Sequence, residues 1–336
     1  MAKIVLGLGT CHGPMLSIPA VNWSDRAKFD RANKEMHYQG KVYNFEQLAA
    51  LRASENLAGQ CALEEQERRH ARCQASIAQL ADLHEQTRPD VTLIIGNDQM
   101  EVFKPEHVPA FAIFWGEFVE GIPRTKEFLD KLPPGIAQAE LDRTPAVHTK
   151  YPCDSALGKH LIEAAMAADF DVAQLTALPT GQIGSNAAPH AYGFVYRRVL
   201  RDKLVPTVPV FINTFYPPNQ PSAGRCYEFG RALGRAIAQW NTGKTVAVIA
   251  SGGLSHFVVD ETLDQKLIAA MESNDVKTLC SIPEAEYQSG TSEWKNWICT
   301  AGIMHEAGLK MKLLDYVPCY RSEAGTGSGL GFATWR

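Results

Sequence analysis

The chain lacks any apolar run long enough to cross a bilayer. Its longest runs, such as residues 246–250 (VAVIA), are strand-sized. It lacks an excess of either charge. Lys and Arg number 33 against 37 Asp and Glu, a net charge of −4, which argues against a nucleic-acid or anionic-membrane partner. None of the eight cysteines forms a CxxC pair, so a thiolate metal knuckle or redox dithiol is not indicated. The N-terminal residues enter a strand-like run without the apolar core and cleavage site of a secretion signal. Free thiols in the cytoplasm are therefore expected. Gly7-Leu8-Gly9 lacks the third glycine of a dinucleotide fingerprint, because position 12 is His and Pro14 interrupts a following helix. The glycine-rich residues 325–331 lack a preceding strand and the Lys-Ser/Thr of a phosphate loop, and read as a flexible or tightly turning tail. There is no internal repeat or low-complexity linker, so residues 1–336 read as one catalytic domain.

What is present is an ordinary globular composition, 45% apolar and 21% charged, with enough apolar material for a core. Continuous apolar stretches at 3–9, 91–96, 208–213 and 244–250 read as buried strands, with weaker ones at 108–115 and 171–178. Helical periodicity covers 57–88, 155–168, 223–240, 261–274, 276–281 and 293–307. Residues 13–55 and 116–150 look irregular and rich in turn formers. Strand, helix and strand over residues 3–96 predict a βαβ unit with a parallel pair. The expected fold is α/β, a mixed central sheet flanked by helices with long active-site loops.

Chemistry-bearing residues stand just past predicted strand ends, where open α/β sheets bind ligands. His12 follows the first strand between Cys11 and Gly13-Pro14, Asn97-Asp98-Gln99 follow the second, and Ser251-Gly252-Gly253-Leu254-Ser255-His256 follow the clearest one. Paired glycines allow a tight turn and close approach to a ligand. A helix starts at Glu293 behind Gly290-Thr291-Ser292; a carboxylate there suits the helix dipole and also suits a cation. His190 lies in Pro189-His190-Ala191-Tyr192, and the nearby Arg197 and Arg198 read as a solvated face.

Taken in order, Thr10-Cys11-His12, Gly96-Asn97-Asp98, Pro189-His190, Tyr216-Pro217-Pro218 with Arg225-Cys226, Ser251 to His256, and Gly290-Thr291-Ser292-Glu293 with Trp297 resemble the class III extradiol ring-cleavage dioxygenases, the family of the protocatechuate 4,5-dioxygenase catalytic subunit. Within that family the chain looks most like the 3-O-methylgallate dioxygenase branch. The resemblance implies a non-haem Fe(2+) enzyme that opens a catechol- or gallate-type ring with O₂. It implies His12 and Glu293 as metal ligands, His256 as acid/base and His190 as a second active-site histidine. The family's third ligand is a histidine directly after Asn-Asp, where this chain has Gln99. Gln99 through its amide oxygen is the first candidate for that place, and His70 is the alternative. Glu101 and His37 are further candidates. The expected partners are a small aromatic substrate and O₂, with no nucleic acid or membrane, in a homodimer. A zinc-dependent hydrolase and a metal-free binding protein on the same fold are the rival readings.

Overall fold

The structure is a computed structural model that describes residues 1–133, 135–181 and 184–336. It opens with β1 (Lys3–Thr10), α1 (Trp23–Asp30), the hairpin β2 (Met36–Tyr38) and β3 (Lys41–Tyr43), and α2 (Phe45–Leu51). A short α3 (Leu57–Gln60) precedes the long α4 (Leu63–Thr87), then β4 (Val91–Gly96), β5 (Phe111–Phe114) and β6 (Phe118–Gly121). Next come α5 (Lys126–Leu129), α6 (Ile136–Arg143), β7 (Thr149–Pro152), α7 (Ser155–Ala167), β8 (Ala173–Leu175), α8 (His190–Phe194) and β9 (Thr207–Ile212). The last part holds α9 (Ala223–Gln239), β10 (Thr245–Ser251), β11 (His256–Val258), α10 (Glu261–Glu272), α11 (Val276–Ser281), α12 (Trp294–Ala307), β12 (Met311–Tyr320) and β13 (Thr326–Trp335).

A mixed nine-stranded sheet runs β11-β13-β1-β10-β4-β9-β5-β8, with β12 on β13. β1, β10, β4 and β9 are parallel neighbours. Helices cover both faces, which is why these strands carry apolar side chains on successive residues instead of alternating. Ile4, Leu6, Leu8, Val91, Leu93, Ile95, Val208, Val210, Val246 and Val248 all belong to one core. The helix starts are locally encoded. Asp154, Ser222 and Asp260 each accept the backbone N–H three residues on, and Asn44 with Gln47 forms a capping box.

The architecture is the expected mixed α/β sheet, but three local expectations change. The first strand and β4 do not pair with each other: β10 lies between them and is parallel to both. Residues 13–55 and 116–150, expected to be irregular, contain α1, α2 and the β2–β3 hairpin in the first and β6, α5 and α6 in the second. These elements are short and bury few side chains each, so they leave little periodicity to read. The glycine-rich stretch expected as a tail is β13, a fully buried strand paired with β1, β11 and β12. Its glycines serve close packing: a Cβ on Gly329 would fall 2.2 Å from Asp264 Oδ2.

Candidate metal centre

The strand order places three loop mouths side by side. Thr10 pairs with Ser251 at the ends of β1 and β10, and Ala250 pairs with Ile95 of β4. His12, Gly253 and Asn97 therefore leave the sheet at one edge. The start of α12 brings Glu293 to the same place: Asn296 donates to Asn97 Oδ1 at 2.9 Å and to the Ser251 carbonyl at 2.8 Å, and Trp297 Nε1 donates to the Gly252 carbonyl at 2.9 Å. The first turn of α8 adds His190.

The hydrogen bonds settle which ring atoms face inward. The Ser251 hydroxyl donates to the Ala191 carbonyl at 2.7 Å. It has no second proton, so its oxygen accepts from His12 Nδ1–H at 3.0 Å. His12 Nε2 is left with a free lone pair. His190 Nδ1 meets Glu101 Oε2, and an ionised carboxylate only accepts, so the ring proton sits on Nδ1 and the neutral ring presents its lone pair on Nε2. The two Nε2 atoms are 3.1 Å apart, and His12 Nε2 is 3.3 Å from Glu293 Oε2. Two lone pairs and a carboxylate oxygen at such separations repel unless positive charge lies among them. A proton serves one pair; a divalent cation serves all three. Metal bonds of about 2.1 Å at right angles put neighbouring donors about 3.0 Å apart. The donor atoms of His12, His190 and Glu293 lie within 4.8 Å of one another, and the three residues could hold a metal ion.

Electrostatics supports the same assignment. Burial pushes the His12 imidazole below its ordinary pKa against the pull of Glu293, and His190 and His256 push it further down. That favours the neutral, ligating form. Burial would raise the Glu293 carboxyl, but His12 and His256 outweigh it and hold the group well below the usual carboxylate range. Glu293 Oε2 accepts the Gly253 N–H at 2.6 Å, and Oε1 accepts from Asn97 at 3.2 Å.

His256 faces the group from the other side, with Nε2 3.6 Å from Glu293 Oε2. Its Nδ1 donates to the Leu254 carbonyl at 2.8 Å. Burial would lower its pKa, but the charge and hydrogen bond of Glu293 prevail and raise it. The ring is clasped by two glycines: a Cβ on Gly290 would fall 2.1 Å from His256 Cδ2, and one on Gly253 2.5 Å from Cε1. Thr291 Oγ1 accepts the His256 N–H and donates to its carbonyl, both at 3.1 Å.

The other candidates are placed as follows. Gln99 turns its amide nitrogen toward Glu293 Oε1 at 3.5 Å. Glu101 turns to His190 instead of Glu293. His70, on α4, approaches the Gln74 amide at 3.2 Å and sets its ring edge against Trp23. His37 lines a small cavity with Asp260 and Thr291. Arg197 and Arg198 pair with Asp202 and Asp142. Sequence reasoning noted Ser251 in its strand-end motif without giving it a role, and missed Asn296, whose only signal was a polar residue in the first turn of a mostly apolar helix.

Two imidazoles and one carboxylate on a buried face, with a further histidine opposite, form a group that could hold a divalent metal ion. A family model described as the catalytic LigB subunit of aromatic ring-opening dioxygenase matches residues 60–327. The chain belongs to this family of ring-opening dioxygenases. The matched span includes His190, His256 and Glu293, while His12 precedes it. No curated protein matches the chain. No helix among the described residues is long and apolar enough to cross a membrane.

Proposed function

We propose that the chain is an iron(II)-dependent extradiol dioxygenase that opens a catechol- or gallate-type ring, with 3-O-methylgallate, gallate and protocatechuate as the substrates to test first. The observation that carries this reading is the convergence of His12 Nε2, His190 Nε2 and Glu293 Oε2, with separations of 3.1 and 3.3 Å along the chain of contacts. Two neutral imidazoles and one carboxylate form the ligand set that leaves open positions on non-haem iron(II). Iron(II) bound there would supply a Lewis-acidic, redox-active centre for two adjacent ring oxygens and O₂.

The protein's own contributions follow from the geometry. Glu293 brings one negative charge, held in place by the Gly253 N–H and the Asn97 amide. His256 holds its Nε2 toward the same space, because Nδ1 is committed to the Leu254 carbonyl. It takes a proton from a substrate hydroxyl at Nε2 and returns it to the opened product. Burial of His12, His190, His256 and Glu293 keeps bulk water from competing at the reacting atoms. The eight free cysteines suit a reducing compartment, and we place the enzyme in the cytoplasm as a homodimer.

The test is anaerobic loading with Fe(II) followed by O₂ uptake on gallate, 3-O-methylgallate, protocatechuate and 2,3-dihydroxyphenyl compounds. Stoichiometric O₂ consumption with at least one of them is expected. Hydrolysis by the zinc-loaded protein without O₂, or no uptake with any ring, would overturn the proposal.

A further inference from the structure

Glu101 lies just past the Asn97-Asp98-Gln99 turn, 8% exposed, and three contacts from a single residue converge on it. The His190 backbone N–H reaches Oε1 at 3.0 Å and Oε2 at 3.2 Å, and Nδ1 of the same ring meets Oε2. The carboxylate is itself fixed in place. Asp98 accepts the backbone N–H groups of Glu101, Val102 and Phe103, each at 3.1 Å, which winds residues 98–103 into a tight loop. The loop is packed from behind: a Cβ on Gly181 would fall 2.1 Å from the Glu101 carbonyl oxygen.

The consequence is both geometric and tautomeric. The two contacts to the backbone N–H and the ring N–H fix where α8 begins and how the imidazole is turned. Because the carboxylate only accepts, the neutral ring keeps its proton on Nδ1 and turns its Nε2 lone pair toward His12 Nε2, 3.1 Å away. Position 99 offers no equivalent donor, since the Gln99 atom facing Glu293 is an amide nitrogen at 3.5 Å.

We propose that Glu101 is a positioning residue that makes His190 the third metal ligand, so that the loop after β4 supports the ion through α8 and does not bind it directly. This rests on reading His12, His190 and Glu293 as a metal centre, and it adds what holds His190 in its ligating orientation. Partners of this kind on ligating histidines change metal affinity by about 10–100-fold.

The experiment uses the full chain, metal-free and ¹⁵N-labelled, at neutral pH. Long-range ¹H–¹⁵N correlation reads the protonated nitrogen of His190, assigned by its disappearance in His190→Ala. Calorimetric titration with Co(II) reads affinity. In the wild type the His190 proton is expected on Nδ1. Glu101→Leu, which has no acceptor, should shift it toward Nε2 and weaken Co(II) about 10–100-fold. Glu101→Asp and Glu101→Gln, which each keep an acceptor oxygen, should retain the wild-type tautomer, and they carry the test if the Leu variant folds poorly. A wild-type proton on Nε2, or Co(II) affinity within twofold of wild type in Glu101→Leu, overturns the role of Glu101. Wild-type affinity in His190→Ala overturns the ligand assignment. A wild type that binds no Co(II) overturns the metal reading itself, whatever the tautomer.

Discussion

His256 and His12 are both buried imidazoles beside Glu293, yet their hydrogen bonds give them different work. His12 is pushed below its ordinary pKa and its Nδ1 is held by Ser251, which leaves a neutral donor at Nε2. His256 is raised by Glu293, so it suits proton transfer better than ligation. His256→Ala should therefore keep its metal and lose about 10²–10⁴-fold in turnover, the usual worth of a general acid/base. Elemental analysis alongside steady-state rates checks this, and near wild-type turnover would remove the role. His12, His256 and Glu293 stood out in the sequence, the two histidines where an apolar run gives way to glycine or proline and Glu293 at a helix start, and the structure brings the three together. His190 was legible as a site residue. Its orientation was not, because that depends on Glu101, a residue 89 positions away. Glu101 itself looked like a possible direct ligand. Only the side-chain contacts show it turned to the imidazole.

At the level of elements, α4 and β4 illustrate how a helix is tied to the sheet it covers. Cys73, Ile77, Leu80 and His84 are buried on α4. His84 is only 4% exposed, and its Nε2 lies 2.8 Å from Thr92 Oγ1 on β4. Burial, and then Lys203, push its pKa down from 6.5 to about 4. The folded value lies below the unfolded one. The stability His84 contributes is thus complete above about pH 6.5 and is lost as pH falls toward 4, roughly 3 kcal/mol in all. Calorimetric melting of His84→Gln should show a shallower fall in Tm between pH 7 and pH 4.5 than the wild type. An equally steep fall would mean that other groups drive the acid lability. The helix was predictable from periodicity, and its start at Leu63 after the separate α3 was not. The short elements before α3 were illegible for the same reason: α1 and the β2–β3 hairpin are anchored by distant partners. Arg321 grips Asp30 at 2.6 Å, and Val258 of β11 shares an apolar cluster with Met36.

For the whole molecule, the candidate metal joins segments far apart in the chain, so binding it and folding are coupled. An ion that binds only the native state stabilises it by about 4 kcal/mol at 1,000 times its Kd. Saturating Co(II) or Fe(II) under anaerobic conditions should raise Tm by several degrees, and chelation should reverse the shift. Glu293→Ala and His12→Ala should abolish it. A full shift in either variant would show that the ion binds elsewhere. The sequence by itself determined that β1, β4, β9 and β10 are buried strands, where α9 and α10 begin, and which polar residues stand at those strand mouths, because each of these follows from local apolar pattern and capping chemistry. Only the tertiary structure decided that β10 enters between β1 and β4, that the glycine-rich end is a central strand, and that His190 meets His12. Strand neighbours are chosen by the packing of distant segments, and the local apolar pattern is the same whichever strand lies alongside.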